Sequence, residues 1–292
     1  MKLITFSTED TPRTGVLTAD ETRIVDLHAA DPALPADMLS FLQMGDAAMD
    51  AARQLAANPP AAAAIPFDEK LLRAPIDNPQ KIIAIGRNYA AHALEQGIKP
   101  PDHPVMFAKY PSAIIGPNDT IEWSAALTQQ VDAEAELAVV IGKRARNVSQ
   151  ADALNYVAGY TICNDVSARD LQFSDKQYTR GKSLDTFCPL GPWIVSRDEI
   201  ADPQNLTVRG LWNGSMMQEA NTGEMSFGVA FLIEFISRAF TLLPGDIIST
   251  GTPHGVGVFR DPPVFLKDGD TVTIEVEGVG TLVNVCKVSR EA

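Results

Sequence analysis

Asp132-Ala-Glu-Ala-Glu-Leu-Ala-Val-Val-Ile-Gly142 (DAEAELAVVIG, 132–142) places two acids, Glu134 and Glu136, at the head of an unbroken apolar run. A short apolar run ending at glycine reads as a buried strand. On a strand, residues i and i+2 share a face, so the two carboxylates lie side by side. Adjacent carboxylates repel unless a cation or a proton lies between them. The E-x-E pattern also occurs on solvated strand faces, so it carries no ligand on its own. A third acid, Asp165, follows the apolar run Tyr160-Thr-Ile-Cys-Asn and stands beside Ser167, Arg169 and Asp170. Three carboxylates with water suit a hard octahedral cation, Mg²⁺ or Mn²⁺, rather than zinc, which prefers His and Cys.

Working outward, further short β-branched runs punctuated by Gly and Pro read as strands at 81–85, 156–163, 193–195, 207–212, 246–249 and 271–276. Helical patterns are fewer, at 89–96, 149–155 and 227–240. Many strands with scattered helices favour a mostly antiparallel β domain over a repeated βαβ design. The first 75 residues differ in texture, with short strands at 3–6 and 23–27 and an Ala/Leu/Met-rich helical pattern at 38–57. A Pro/Ala connector follows at 59–66. The expectation is an α+β, mostly β protein, with a small α/β N-terminal domain at 1–75 and a catalytic domain at 76–292.

Composition limits the partners. The 292 residues carry 24 Lys+Arg against 37 Asp+Glu, a net charge of −13. That balance argues against nucleic acid and anionic membrane, which need clustered cations. The most apolar stretch, 227–240, is interrupted by Glu234 and Arg238, and no run reaches the roughly 18 apolar residues of a membrane span. No signal-peptide run opens the chain. Three widely spaced cysteines, Cys163, Cys188 and Cys286, form no C-x-x-C, and the chain reads as cytoplasmic with free thiols. Lys176 stands where a P-loop ending at Gly181-Lys-Ser183 needs glycine, and neither G-x-S-x-G nor H-E-x-x-H occurs.

A second constellation is Gly86-Arg-Asn-Tyr-Ala-Ala-His92-Ala-Leu-Glu95. His92 and Glu95 are three apart, on one helical face, where the carboxylate orients the imidazole and raises its basicity. The same pair occurs as an ordinary surface ion pair. Here the glycine and prolines that follow, Gly97, Pro100, Pro101 and Pro104, outline a segment able to close as a lid.

With these residues in view, the chain resembles the fumarylacetoacetate hydrolase superfamily, in its fumarylacetoacetate hydrolase domain-containing, acylpyruvase-like branch. The resemblance runs from about Lys81 to Val288 in six ordered blocks: GRNYAAHALEQG (86–97), FAKYPSAIIGP (107–117), DAEAELAVVIG (132–142), GYTICNDVSARDLQ (159–172), GKSLDTFCPLGPW (181–193) and PGDIISTGTPHGVG (244–257). It implies a β-roll-like catalytic domain, a small N-terminal domain and a homodimer. Carried over by position, it implies Glu134, Glu136 and Asp165 as ligands of Mg²⁺ or Mn²⁺, His92 and Glu95 as a dyad that polarises water, and Lys182 as the active-site lysine. Arg169, Gln172, Thr252 and Arg87 would contact substrate.

The implied substrate is a small anionic 2-oxo acid. A 2,4-diketo acid, an acylpyruvate or a diketo-deoxy sugar acid, would be hydrolysed at its C3–C4 bond through a pyruvate enolate. Decarboxylation of oxaloacetate and isomerisation or hydration of unsaturated 2-oxo acids use the same chemistry and are the alternatives.

Overall fold

The computed structural model describes residues 1–8 and 11–289. Strands dominate it, as the alternation of β-branched runs and turn residues requires. The strand Ala135–Ile141 is buried at every position and pairs antiparallel with Val157–Asn164 on one side and Ile247–Ser249 on the other. Ile247–Ser249 in turn pairs parallel with Ile82–Gly86, which is followed by Val105–Lys109 at the end of the order. These directions bring the start of Ala135–Ile141 and the ends of Val157–Asn164, Ile247–Ser249 and Ile82–Gly86 to one edge of the sheet. The functional residues emerge there.

The sheet has 12 strands, and a second, 5-stranded sheet packs across its centre. Leu137, Val139 and Ile162 from the first meet Val208, Ile274 and Leu282 from the second in one apolar cluster. Burial of such faces on both sheets supplies the main stabilising term of an α+β sandwich. The expected α+β, mostly β class is the observed one. Lys2–Phe6 pairs with Cys188–Ser196, Leu3 opposite Ile194, so the strands of the first 75 residues extend the large sheet. Among the described residues no helix is long and apolar enough to cross a membrane.

Local readings shift in three places, each for a local reason. The helical pattern 38–57 is two helices, Met38–Gln43 and Asp46–Ala57, because Gly45 takes a φ of +69° that breaks the hydrogen-bond ladder. The strand beginning at Arg23 stops at Asp26, whose carboxylate accepts from the Ala29 amide and caps the helix Leu27–Ala30. The pattern at 149–155 yields only a 3₁₀ turn, Ala153–Tyr156, since Ser149 and Asp152 satisfy one another's polar groups outside a helix. The third helix forms as expected at Val229–Ala239, with Val229, Leu232, Ile233 and Ile236 buried.

The tightest interstrand approach is at Gly159, where a Cβ would lie 2.2 Å from the Val195 carbonyl oxygen. Gly159→Ala must push Val157–Asn164 away from Cys188–Ser196, an overpacking strain of about 1–3 kcal/mol. A lowered urea midpoint at unchanged m-value is the expected result.

Candidate active site

Ala135 pairs with Asn164 and Glu136 with Cys163, so Asp165 leaves its strand level with the two glutamates. The Asp165 amide donates to the Glu134 carbonyl at 3.1 Å and locks that register. One oxygen each of Glu134, Glu136 and Asp165 lie within 4.8 Å of one another, and all three side chains are buried.

Three cations answer these acids. Lys182 Nζ donates to Glu134 Oε2 at 2.8 Å and to Asp165 Oδ2 at 2.5 Å. Arg169 pairs through Nη1 with Glu134 Oε1 at 2.8 Å, and through Nε and Nη2 with Asp132 Oδ2 at 2.9 and 2.7 Å. Lys109 Nζ donates to Asp165 Oδ1 at 2.6 Å and to the Lys182 carbonyl. Burial alone would raise Glu134, but the Lys182 and Arg169 charges win and hold it well below the usual carboxylate range. Burial would likewise lower Lys182, and the Asp165 and Glu134 charges reverse this, so it stays an ammonium.

Glu136 faces the opposite balance. Burial, then the neighbouring Asp165, Cys163 and Glu134, push its carboxyl well above the ordinary range. Its Oε2 accepts from Ser249 Oγ at 2.5 Å and from the Gly251 amide at 2.9 Å. No hydrogen bond to its Oε1 is found among the described residues. Gly251 has a φ of +97°, and a Cβ there would sit 2.7 Å from Asn88 Cβ, so only glycine brings this amide to the carboxylate. Three buried carboxylates, one of them lacking a cation, form a hard donor set that fits a divalent metal ion.

His92 lies on the short helix Ala90–Glu95 and is buried. Its Nδ1 is 2.5 Å from Glu95 Oε1, and Glu95 Oε2 accepts from the Gly255 amide at 2.8 Å. Gln96 Nε2 lies 3.0 Å from His92 Nε2, while Gln96 Oε1 accepts from Arg87 Nε at 3.2 Å. The arginine therefore fixes the amide's orientation, so the amide donates to His92 Nε2. That nitrogen is the unprotonated one, and Nδ1–H donates to Glu95. A positioned neutral imidazole with a carboxylate behind it is a general base.

Both groups meet in a cavity of about 70 Å³, to which His92, Glu134, Lys182 and Arg87 contribute, with Phe107 and Phe259 as apolar walls. Arg169, Gln172 and Thr252 line it as well. Gln172 Oε1 accepts from Arg169 Nη1 at 3.0 Å. The Thr252 hydroxyl donates to the Ala135 carbonyl at 3.1 Å and accepts from Gln218 Nε2 at 2.8 Å. Glu95 and Asp165 stand behind these residues through their bonds to His92 and Lys182, and Glu136 through its closeness to Glu134. All ten residues expected from the sequence are thus brought together.

Four further residues carry no expectation from the sequence: Lys109, Asp132, Gln96 and Tyr178, which lines the cavity and whose hydroxyl accepts from Arg87 Nη2 at 3.0 Å. Lys109 had a readable signal, since it shares a strand face with Phe107 in Val105–Lys109, where a lysine turned inward needs an acid. Asp132 shares the i, i+2 spacing of the glutamates. Gln96 and Tyr178 carry no pattern of their own.

The family profile of the fumarylacetoacetate (FAA) hydrolase C-terminal domain matches residues 81–287. The chain belongs to the fumarylacetoacetate hydrolase family. A mitochondrial oxaloacetate tautomerase of Xenopus laevis is 47% identical over 295 residues, covering 97% of this chain and 89% of its own. A human mitochondrial oxaloacetate tautomerase is 45% identical over 276 residues, 94% of this chain and 87% of its own. Among solved structures, a fumarylacetoacetate hydrolase from Exiguobacterium antarcticum superposes with a TM-score of 0.87 at 38% identity over 99% of this chain and 100% of its own. The maleylpyruvate hydrolase of Sphingobium sp. SYK-6, in complex with manganese(II) and pyruvate, does so at 0.80 and 34% identity over the same shares.

These relatives overturn the expected cytoplasmic location, because the frog, rat and human proteins are mitochondrial. Free thiols are compatible with any reducing compartment and do not distinguish one from another.

Lys109 and Asp165 form an ion pair whose side chains are 0% and 1% exposed. Removing Lys109 leaves Asp165 with Lys182 as its remaining cation and strips the buried Oδ1 of its donor, at about 1–3 kcal/mol. Lys109→Met should lose that much stability in EDTA by chemical denaturation, far more than Lys143→Met, whose pairing with Asp46 is solvent-exposed.

Proposed function

We propose that the protein is a metal-dependent enzyme of small 2-oxo dicarboxylic acids, and that its reaction is the keto–enol tautomerisation of oxaloacetate. The observation that carries this reading is the unprotonated His92 Nε2, set in the same 70 Å³ cavity as Glu134 and Lys182. The tautomerase activity named for the frog and human relatives supports the choice of reaction.

Glu134, Glu136 and Asp165 would hold the cation, Mg²⁺ or Mn²⁺. When bound, it polarises the 2-oxo group and acidifies C3. His92 Nε2 then takes a proton from C3, and the C–H electron pair becomes the C2=C3 bond. Glu95 stabilises the imidazolium through Nδ1–H. Lys182, held as an ammonium, stabilises the negative charge developing on the C2 oxygen. Return of that proton from the His92 imidazolium to the C2 oxygen completes the enol and restores the base. Phe107 and Phe259 keep bulk water from the reacting carbon.

A second reading uses the same base differently. His92 Nε2 activates a water that attacks C4 of a 2,4-diketo acid, and the C3–C4 bond breaks to give pyruvate enolate and a carboxylic acid. The likeness to the maleylpyruvate hydrolase supports it. Assembly as a homodimer belongs to the same proposal. It is supported by the terminal strand Val105–Lys109, beside which Tyr110 is 57% exposed, and is checked by solution mass.

Decay of the oxaloacetate enol absorbance, with acylpyruvate loss followed in parallel, decides between the readings. Wild-type protein should speed enol decay only with a divalent cation present. His92→Ala should slow it by roughly 10²–10⁴-fold at unchanged Mn²⁺ affinity. A His92→Ala protein at full rate would remove the base from the reaction, and acylpyruvate cleavage without tautomerisation would select the hydrolase.

A second loss separates metal from base. Asp165→Asn removes one ligand charge while keeping shape and should weaken Mn²⁺ binding as well as activity. Calorimetry of both variants then shows His92→Ala binding metal normally and Asp165→Asn binding it weakly.

A further inference from the structure

The Arg87 guanidinium faces the cavity, half-buried, with only neutral partners. Its Nη2 donates to Tyr178 Oη at 3.0 Å and its Nε to Gln96 Oε1 at 3.2 Å, and it forms no ion pair among the described residues. The other cations of the site differ. Lys182, Lys109 and Arg169 are each matched to carboxylates. Arg87 also holds a φ of +59°, a left-handed conformation that a residue with a side chain rarely adopts, at the turn ending Ile82–Gly86. Such outliers cluster where a side chain must be aimed. A partly desolvated guanidinium without a counter-ion is a ready site for a carboxylate, which it binds in bidentate fashion.

The same guanidinium is wired to the base. Its hold on Gln96 Oε1 turns the other end of that amide onto His92 Nε2 at 3.0 Å, so the lone pair needed for proton abstraction is covered. A carboxylate arriving on Arg87 competes with Gln96 Oε1. A released amide no longer covers the imidazole.

We propose that Arg87 binds the distal carboxylate of the substrate and that Gln96 couples this binding to the exposure of His92 Nε2, so that the site selects 2-oxo dicarboxylates over 2-oxo monocarboxylates. The inference rests on the substrate class proposed above. Arg87 is the specificity-determining residue and Gln96 a positioning residue.

Malate and lactate test it, since both present a 2-hydroxy acid to the metal and only malate carries a distal carboxylate. Calorimetry on the Mg²⁺-loaded protein should show malate binding at least about tenfold more tightly, and Arg87→Met should abolish that preference while leaving lactate unchanged. Arg87→Lys should restore part of it. In protein labelled with ¹⁵N in its four histidines, malate should shift the His92 Nε2 resonance and lactate should not. Gln96→Leu, which leaves Arg87 in place, should keep the malate preference and show the shifted resonance without ligand. Equal affinities in the wild type, equal losses for both ligands in Arg87→Met, or equal resonance shifts with malate and lactate would each overturn the proposal. These readouts need no turnover, so they test the role of Arg87 even where the tautomerase assay fails.

Discussion

Buried charge around Asp165 is the constraint that organises this molecule. Asp132, Glu134, Glu136 and Asp165 lie at or below 5% exposure, and Lys109, Arg169 and Lys182 lie at or below 2%. An ion moved from water to such an interior costs several kcal/mol unless its partner is fixed close by. Each cation is accordingly matched to specific oxygens, and Asp165 has one lysine on each carboxylate oxygen. Glu136 is the acid left without a cation, which is why its carboxyl is pushed up while Glu134 is pushed down. A divalent ion among these acids changes a net negative cluster into a net positive one.

The same acids hold the loop that follows Ile247–Ser249. Glu136 takes the Gly251 amide, Glu95 takes the Gly255 amide, and Asp132 takes the Gly257 and Val258 amides. Carboxylates from three different elements thus clamp one segment, which in turn carries Phe259 against His92 at 6.2 Å between ring centroids. Metal site, base and cavity wall are mechanically one unit. The strand ends make this possible, since the edge at which Ala135–Ile141 begins is also the edge at which Val157–Asn164, Ile247–Ser249 and Ile82–Gly86 end.

Much of this was legible in the amino-acid order, because strand periodicity alone puts Glu134 and Glu136 on one face and helical spacing puts His92 beside Glu95. The mostly β class followed from the punctuation of β-branched runs. Less legible was whatever depends on partners distant in sequence. Lys109 lies 56 residues from Asp165, and no local pattern announces that pair. Arg169 read as a substrate contact, whereas its guanidinium is engaged by Asp132, Glu134 and Gln172. Gln96 was hidden differently: its role comes from which way its amide turns, and Arg87 decides that. The break at Gly45 was visible as a residue but not as a bend, since glycine inside a helical pattern is tolerated as often as it terminates.

The site's chemistry is generic and its selectivity is not. A carboxylate-held cation beside a neutral imidazole can remove a proton from C3 of a 2-oxo acid or from a water molecule, so the catalytic groups do not by themselves choose between tautomerisation and hydrolysis. The choice falls to what occupies the space between Nε2 and the acids. A water placed there together with a substrate needs more volume than the substrate alone, and Phe107 and Phe259 are among the side chains that bound that space. Widening the cavity, rather than altering the base, is the change that physical reasoning connects to a switch from one reaction to the other.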